Sequence, residues 1–428
     1  MQYNKIKSYS YNLHVIKTDK FKTVTVKVNF KRKLKKEDIT YRNMLVNVLC
    51  ESTKKYPTKR LMEIATEDLY ELGYRGSNYI SGKYGIMGFD ITFLNEKYTE
   101  KGMLEKSIDF LSEILFKPNL NIKRTGKEFD KDNFKISYNI LENGIKGVKE
   151  SPAIYSKIRM LENMEPNSVI SYRNYGYLED LKKINAKNLY RYYEDVLAKD
   201  TIDIFVIGDV KKQEIEKIIN SKFKIKTLKK PNESHFLRPK KRRLFTKTVK
   251  EKQNLNQSQL VMGFKIDKLT DFELRYVLNS YSYILGGGPD SKLFKNVREK
   301  NSLCYSINSV AYPLGSILTI SAGINKNDFK KAVSLIKKEV RKMQKGDFSN
   351  EDIIKAKVTY MNSIKELEDN PENLLSMYVG MEYLKSDDIP TRIKKINKVT
   401  KNNIVKVASK IHLDTIYLLE GGDSDAEE

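Results

Sequence analysis

LGGGPDSKLFKNVREKNSLCYSI, residues 285–307, is the stretch on which the reading of this chain turns. Three consecutive glycines, Gly286, Gly287 and Gly288, open positive φ values to the backbone and let it approach a ligand closely. Asp290 or Ser291 can then cap a helix over residues 291–299, with Leu293, Phe294 and Val297 as its buried stripe. The helix ends in Arg298-Glu299, and a strand over residues 303–312 follows. On that strand Cys304 and Tyr305 face opposite ways, the thiol toward the core. A phosphate loop is excluded, because the glycine-lysine-serine/threonine end of a Walker motif is absent.

Outward from this segment the order of elements repeats. In the first half, residues 11–30 alternate as two strands joined by a turn at residues 18–22. A helix is expected next, with a mostly apolar run at 41–50 and then helical spacing at 60–72, followed by a strand at 84–94 and an amphipathic helix at 102–116 closed by Lys117-Pro118. Further helices are expected at 128–142, 153–163 and 188–197, the last opening after Asn185 as its cap. A strand at 201–206 and a helix at 212–223 end this half. Residues 224–250 carry two prolines, many charges and little periodicity, the composition of a solvated connection. Beyond them come a strand at 259–265, a helix at 273–285, the glycine segment, a strand at 316–324, helices at 329–342, 350–368, 371–384 and 401–411, and a strand at 415–419. The expected architecture is α+β: two similar lobes, each a mixed, mostly antiparallel sheet with helices packed on one face. Residues 1–224 form the first lobe, 225–250 the linker and 251–428 the second lobe.

Length and composition agree. A chain of 428 residues exceeds what one core supports, and its 40% apolar residues suffice for two. The net charge of +24 by itself suggests nucleic acid, an acidic surface or an acidic partner. It comes mostly from lysine spread along the chain, as compositional bias produces, and no nucleic-acid-binding motif accompanies it, so nucleic acid is not the favoured partner. Two cysteines, Cys50 and Cys304, are too few for a disulfide framework. Without a signal-like or membrane-spanning apolar run, a cytoplasmic protein with no membrane contact is expected.

The 285–307 segment resembles the second-lobe signature of the insulinase/pitrilysin (mitochondrial-processing-peptidase-like) family of zinc peptidases: a glycine-rich turn, a helix ending in arginine and glutamate, then a tyrosine. The blocks at residues 52–64, 110–120, 184–219 and 416–421 are similar to family blocks in the same order, so the resemblance spans nearly the whole chain. It implies that Arg298 and Tyr305 orient a peptide substrate and donate hydrogen bonds to its carbonyl as negative charge develops. It also implies that Gly286, Gly287 and Gly288 border the substrate.

Active members of the family need an HxxEH motif on a first-lobe helix, two histidines binding zinc and the glutamate activating water. The matching positions here are Asn43, Val46 and Asn47. Where a third ligand is expected stand Tyr138 and Asn139, with Glu142 one turn further on. His14, His235 and His412 form no local metal motif; His14 reads as a strand residue and the other two as surface residues. Cys50 reads as a buried, inert thiol. The resemblance therefore implies a chain without metal or cofactor of its own, inactive alone. It is most similar to the zinc-free subunits of heterodimeric pairs in Gram-positive bacteria, with zinc in the homologous partner and a peptide as substrate. A homodimer in isolation stays open. The alternative within this resemblance is an inert structural or peptide-binding homologue.

Overall fold

The computed structural model describes residues 1–8, 10–124, 126–223, 225, 233–237 and 241–421. The chain forms two compact units, each assembled from separated pieces. The first comprises Met1–Lys146, Arg173–His235 and Leu367–Ser386; the second comprises Gly147–Tyr172, Phe236–Glu366 and the chain from Asp387.

The first unit holds β1 (Gln2–Lys7), β2 (Asn12–Lys17), β3 (Thr23–Lys33), β4 (Gly73–Ser81), β5 (Tyr84–Leu94), the hairpin β6 (Leu120–Lys123) and β7 (Gly126–Phe129), and β8 (Thr201–Gly208). Its main sheet runs β1-β2-β8-β3-β5-β4. The second unit holds β9 (Lys247–Lys252), β10 (Ser258–Ile266), β11 (Cys304–Tyr312), β12 (Ile317–Ile324) and β13 (Ile411–Glu420), ordered β11-β12-β10-β13-β9. The β2-β8-β3-β5-β4 series has one parallel pair followed by three antiparallel ones. The β9-β13-β10-β12-β11 series has the same pattern. This is the internal repeat that the element order anticipated, carried by pairing rather than by residue identity. It gives the two similar α+β lobes and places β4 and β11 at equivalent edges.

Strand alternation explains which face each helix covers. Val24, Val26, Val28 and Phe30 of β3 enter one core with Met44, Leu45 and Leu49 of the Lys36–Glu51 helix and Ile108, Leu111 and Ile114 of the Met103–Phe116 helix. The opposite face of β3 carries Thr25, Lys27, Asn29 and Lys31. In each unit this more polar face also receives a helix from the other half of the sequence. The Pro152–Met164 helix packs on β10 and β13, where Met160 and Met164 join Val261, Tyr417 and Leu419 in a small cluster. The Pro371–Leu384 helix packs on β8 and sends the Tyr383 hydroxyl to Asp203, 2.9 Å away. Each exchanged helix meets a buried lysine–carboxylate group. Lys31 lies 3.9 Å from Asp203, and Lys265 lies 2.8 Å from Glu165 and 3.3 Å from Asp414.

Several elements depart from the sequence expectation for identifiable reasons. The 60–72 helix stops at Glu67, and Tyr70 and Glu71 then take φ of 57°. β4 (GYRGSNYIS) and β1 (QYNKIK) are edge strands with few apolar residues, so alternation hardly marks them. The Ile389–Asn397 helix has only Ile389 and Ile396 buried. The segment expected to be solvated already enters β9 at Lys247, while residues 224, 226–232 and 238–240 of it lie outside the described set. Asn185 does cap its helix, accepting from the Lys187 and Asn188 amides.

His235 is not a surface residue. It is fully buried, stacked on Tyr84 at 4.4 Å and Tyr383 at 5.3 Å, with Nδ1 2.9 Å from the Ser81 hydroxyl. Its carbonyl accepts the Lys83 amide at 3.0 Å, and the turn at Gly82 takes φ of 55°, leaving no space there for a Cβ. Burial, reinforced by the Lys31 charge, lowers its pKa to about 4. The folded state therefore holds it neutral where an unfolded chain would protonate it. Stability from His235 is present above about pH 6.5 and is lost as pH falls toward 4, on the order of 3 kcal/mol in all. Urea titrations at pH 7.5 and 4.5 are expected to show a smaller acid loss in His235→Gln than in the native chain; equal losses would mean that other groups set the acid response.

Candidate functional site

The Lys36–Glu51 helix carries the positions where a zinc motif would stand, and each has a structural occupation. Asn43 Nδ2 donates to the Ile39 carbonyl at 2.9 Å and the Asn174 carbonyl at 2.7 Å, tying the helix to the turn before Tyr177. Val46 is buried against β4: a Cβ on Gly76 would sit 2.6 Å from Val46 Cγ1 and 2.8 Å from Cys50 Sγ. Asn47 is half-buried. On the Lys131–Gly147 helix, Asn139 is exposed, Tyr138 packs on Phe134, and Glu142 pairs with Lys146 at 3.0 Å. Among the described residues no group of three or more His, Cys, Asp or Glu is placed to hold a metal ion. His14 is buried, stacked on Phe205 at 4.2 Å, with Nδ1 2.8 Å from the Tyr3 hydroxyl. His412 pairs with Asp267 at 3.0 Å. Burial pushes the Cys50 thiol up to about 12, which suits an inert residue.

In the second unit the chain brings Arg298 and Tyr305 together. The helix after the glycine turn is π-wound over Phe294–Glu299, with the Lys300 amide bonded to the Lys295 carbonyl at 3.0 Å. Such wider turns often accompany functional positions. Ser302 then takes φ of 50° to turn the chain into β11. At the start of β11 the pairing with β12 shifts between Cys304 and Ile307. Two residues, Tyr305 and Ser306, thus occupy a span where strict pairing would place one, and both face solvent while Cys304 and Ile307 enter the core. The Arg298 guanidinium lies over the Phe294 ring at 4.4 Å and the Tyr305 ring at 5.3 Å. Tyr305 is 78% exposed. Cys304 turns inward as its strand position requires, and burial lifts its pKa to about 11.

A pocket of about 360 Å³ adjoins the pair, bordered by the glycine turn, Phe294, Arg298, Ser306, Asn308 and Ser309. The three glycines therefore do meet the arginine in one place, but not through positive φ; none of them has it. Gly286 is set by close packing, since a Cβ there would lie 2.7 Å from the Ser309 amide nitrogen. Gly287 folds back on Tyr283, and Gly288 faces open space. Phe294, expected within the buried stripe, is only partly buried, while Leu293 and Val297 are fully so. Its ring is the seat of Arg298, and the i, i+4 spacing of an aromatic and an arginine was the signal available for it. Ser306 and Asn308 carried no comparable sequence signal, because the bulge that exposes Ser306 cannot be read from alternation.

Two repeated α+β units, one holding the zinc-motif positions and the other an arginine–tyrosine pair, place the chain in the class of metallopeptidase-like proteins. Residues 183–360 match the family described as "Peptidase M16 inactive domain". Along 95% of its length, and 95% of that protein's, the chain is 30% identical to the "Probable inactive metalloprotease YmfF" of Bacillus subtilis. It is 25% identical over 244 residues to the "Uncharacterized zinc protease YmxG" of the same bacterium, covering 55% of this chain and 57% of that one. A conserved protein from Enterococcus faecalis superimposes with a TM-score of 0.92 at 25% identity, over 99% of this chain and 100% of that structure. The chain belongs to the M16, or insulinase, peptidase family. No helix among the described residues is long and apolar enough to cross a membrane.

Proposed function

We propose that this chain is the non-metal subunit of a cytoplasmic, heterodimeric insulinase-family peptidase. It closes a peptide-binding chamber and supplies Arg298 and Tyr305 in trans to a homologous partner that carries zinc. In this reading residues 1–224 are the lobe that has lost the zinc motif and residues 251–428 the lobe that supplies the pair. The observation that carries it is the stacking of Arg298 over Tyr305 beside an open pocket. A fixed guanidinium and an exposed phenol are preorganised donors for a carbonyl oxygen gaining negative charge, and they cost little reorganisation at the moment of reaction. The occupied, apolar surroundings of Val46 explain why the hydrolytic metal would come from another chain.

The test is co-expression with a zinc-bearing M16 homologue from the same genome, followed by co-purification, zinc analysis of complex and single chains, and a peptide-cleavage assay. Arg298→Ala and Tyr305→Phe are each expected to leave the complex intact and lower its kcat roughly a hundredfold. Unchanged cleavage by an intact complex would leave an inert structural or peptide-binding homologue instead.

A further inference from the structure

The pocket beside Arg298 holds an unneutralised positive charge. Several buried or partly buried arginines meet carboxylates: Arg42 with Asp200 at 2.8 Å, Arg32 with Asp195 at 2.8 Å, Arg159 with Glu251 at 3.0 Å. Arg298 is partly buried too, yet its contacts among the described residues are the rings of Phe294 and Tyr305. The other groups bordering the pocket are glycines, a proline, serines, Asn308, Phe294 and Ile307, all neutral. The nearby carboxylate Asp290 is engaged with Lys295 at 3.3 Å and Lys355 at 3.4 Å.

We infer that this pocket receives a carboxylate of the bound peptide, an acidic side chain or a free C-terminus, held by the Arg298 guanidinium with Ser306 and Asn308 beside it. The inference rests on the reading that the chain binds peptides, and it names which peptides it prefers. A planar guanidinium matches a carboxylate in a two-point contact that a lysine cannot reproduce. Contact with the Phe294 and Tyr305 rings restrains its orientation, which reduces the side-chain freedom to be lost on binding. Two of its five N–H groups suffice for a carboxylate, leaving others for a peptide carbonyl. The pocket's walls offer no acceptor charge for a basic side chain.

The experiment is fluorescence anisotropy on the full chain with three decapeptides of otherwise neutral sequence carrying an uncharged BODIPY label: one with a central glutamate and an amidated end, one neutral with a free C-terminus, one neutral and amidated. The glutamate peptide, the free-end peptide or both should bind about tenfold tighter than the amide, the scale of one charge-assisted contact; which of them does so identifies the source of the carboxylate. Arg298→Gln, and Ser306→Asp, which places a competing carboxylate in the pocket, are both expected to abolish the preference. Equal binding of all three peptides overturns the inference and leaves peptide binding standing. A preference that survives in both variants belongs to the chain's net charge and also overturns it. No binding of any peptide, by the chain alone or with a zinc-bearing homologue, removes the peptide-binding reading itself.

Discussion

Asp200→Asn should destabilise the first unit by about 3–5 kcal/mol, the cost of leaving buried charge without its partner. Asp200 is fully buried at the start of β8, and two arginines converge on it. Arg42 Nη1 donates to Oδ2 at 2.8 Å and Arg32 Nε donates to Oδ1. Arg42 is itself fully buried, a rare place for a guanidinium. It also donates to the Phe30 carbonyl at 2.6 Å. An asparagine keeps the shape but removes the charge that both arginines face, and its amide N–H₂ would point at one of them. Urea unfolding followed by circular dichroism would show the midpoint falling with the slope unchanged. A loss below about 1 kcal/mol would mean that solvent reaches the arginines when the carboxylate goes, and that the group is less dry than its burial implies.

That ion pair also marks where sequence reading stops. Arg42 sits in the run YRNMLVNVLC, whose apolar character announced a buried helix, and nothing local marked its one arginine as part of the core. Its partner is 158 positions away, and only the pairing of β3 with β8 brings the two ends together. The same holds for the exchanged helices. The residues of Pro152–Met164 and Pro371–Leu384 were legible as helices because apolar spacing is a local signal. Which sheet they cover is set by contacts with strands about a hundred or more residues away in sequence, and no periodicity encodes that. His235 is the sharpest case. A lone histidine among prolines and lysines reads as solvated, yet Tyr84 and Tyr383 from opposite ends of the sequence enclose it. The candidate site was more legible, because Arg298 and Tyr305 are seven residues apart and one helix–strand turn joins them. What escaped was the device that sets their geometry: the π-wound turn under Arg298 and the bulge at Tyr305 and Ser306 depend on hydrogen-bond register with neighbours, which residue type alone leaves open.

Rebuilding the lost zinc motif as N43H/V46E/N47H is expected to destabilise the chain rather than restore a metal site, and Val46→Glu alone should account for most of the effect, about 3–5 kcal/mol. Val46 is 6% exposed and packs on the backbone of β4 at Gly76. A glutamate there must either bury its charge against the strand or push β4 away from the helix. Protonation would relieve the first outcome: burial raises the folded-state pKa of the glutamate, so the loss in Val46→Glu should shrink as pH falls toward the ordinary carboxylate range and be relieved below it. Asn43→His removes an amide that donates to two carbonyls at once, and an imidazole cannot reach both with one ring nitrogen. Asn139, the nearest candidate for a third ligand, would still supply no charge. Thermal unfolding of the single and triple variants, with zinc measured by elemental analysis after dialysis, decides the matter. Stoichiometric zinc with undiminished stability would show that the helix and β4 retain a competent metal pocket, and that the substitutions at these positions are recent and superficial. The expected result, unstable variants without zinc, would instead mean that the space once needed for metal and water has been packed shut, with Val46 and Cys50 against Gly76 as the closure.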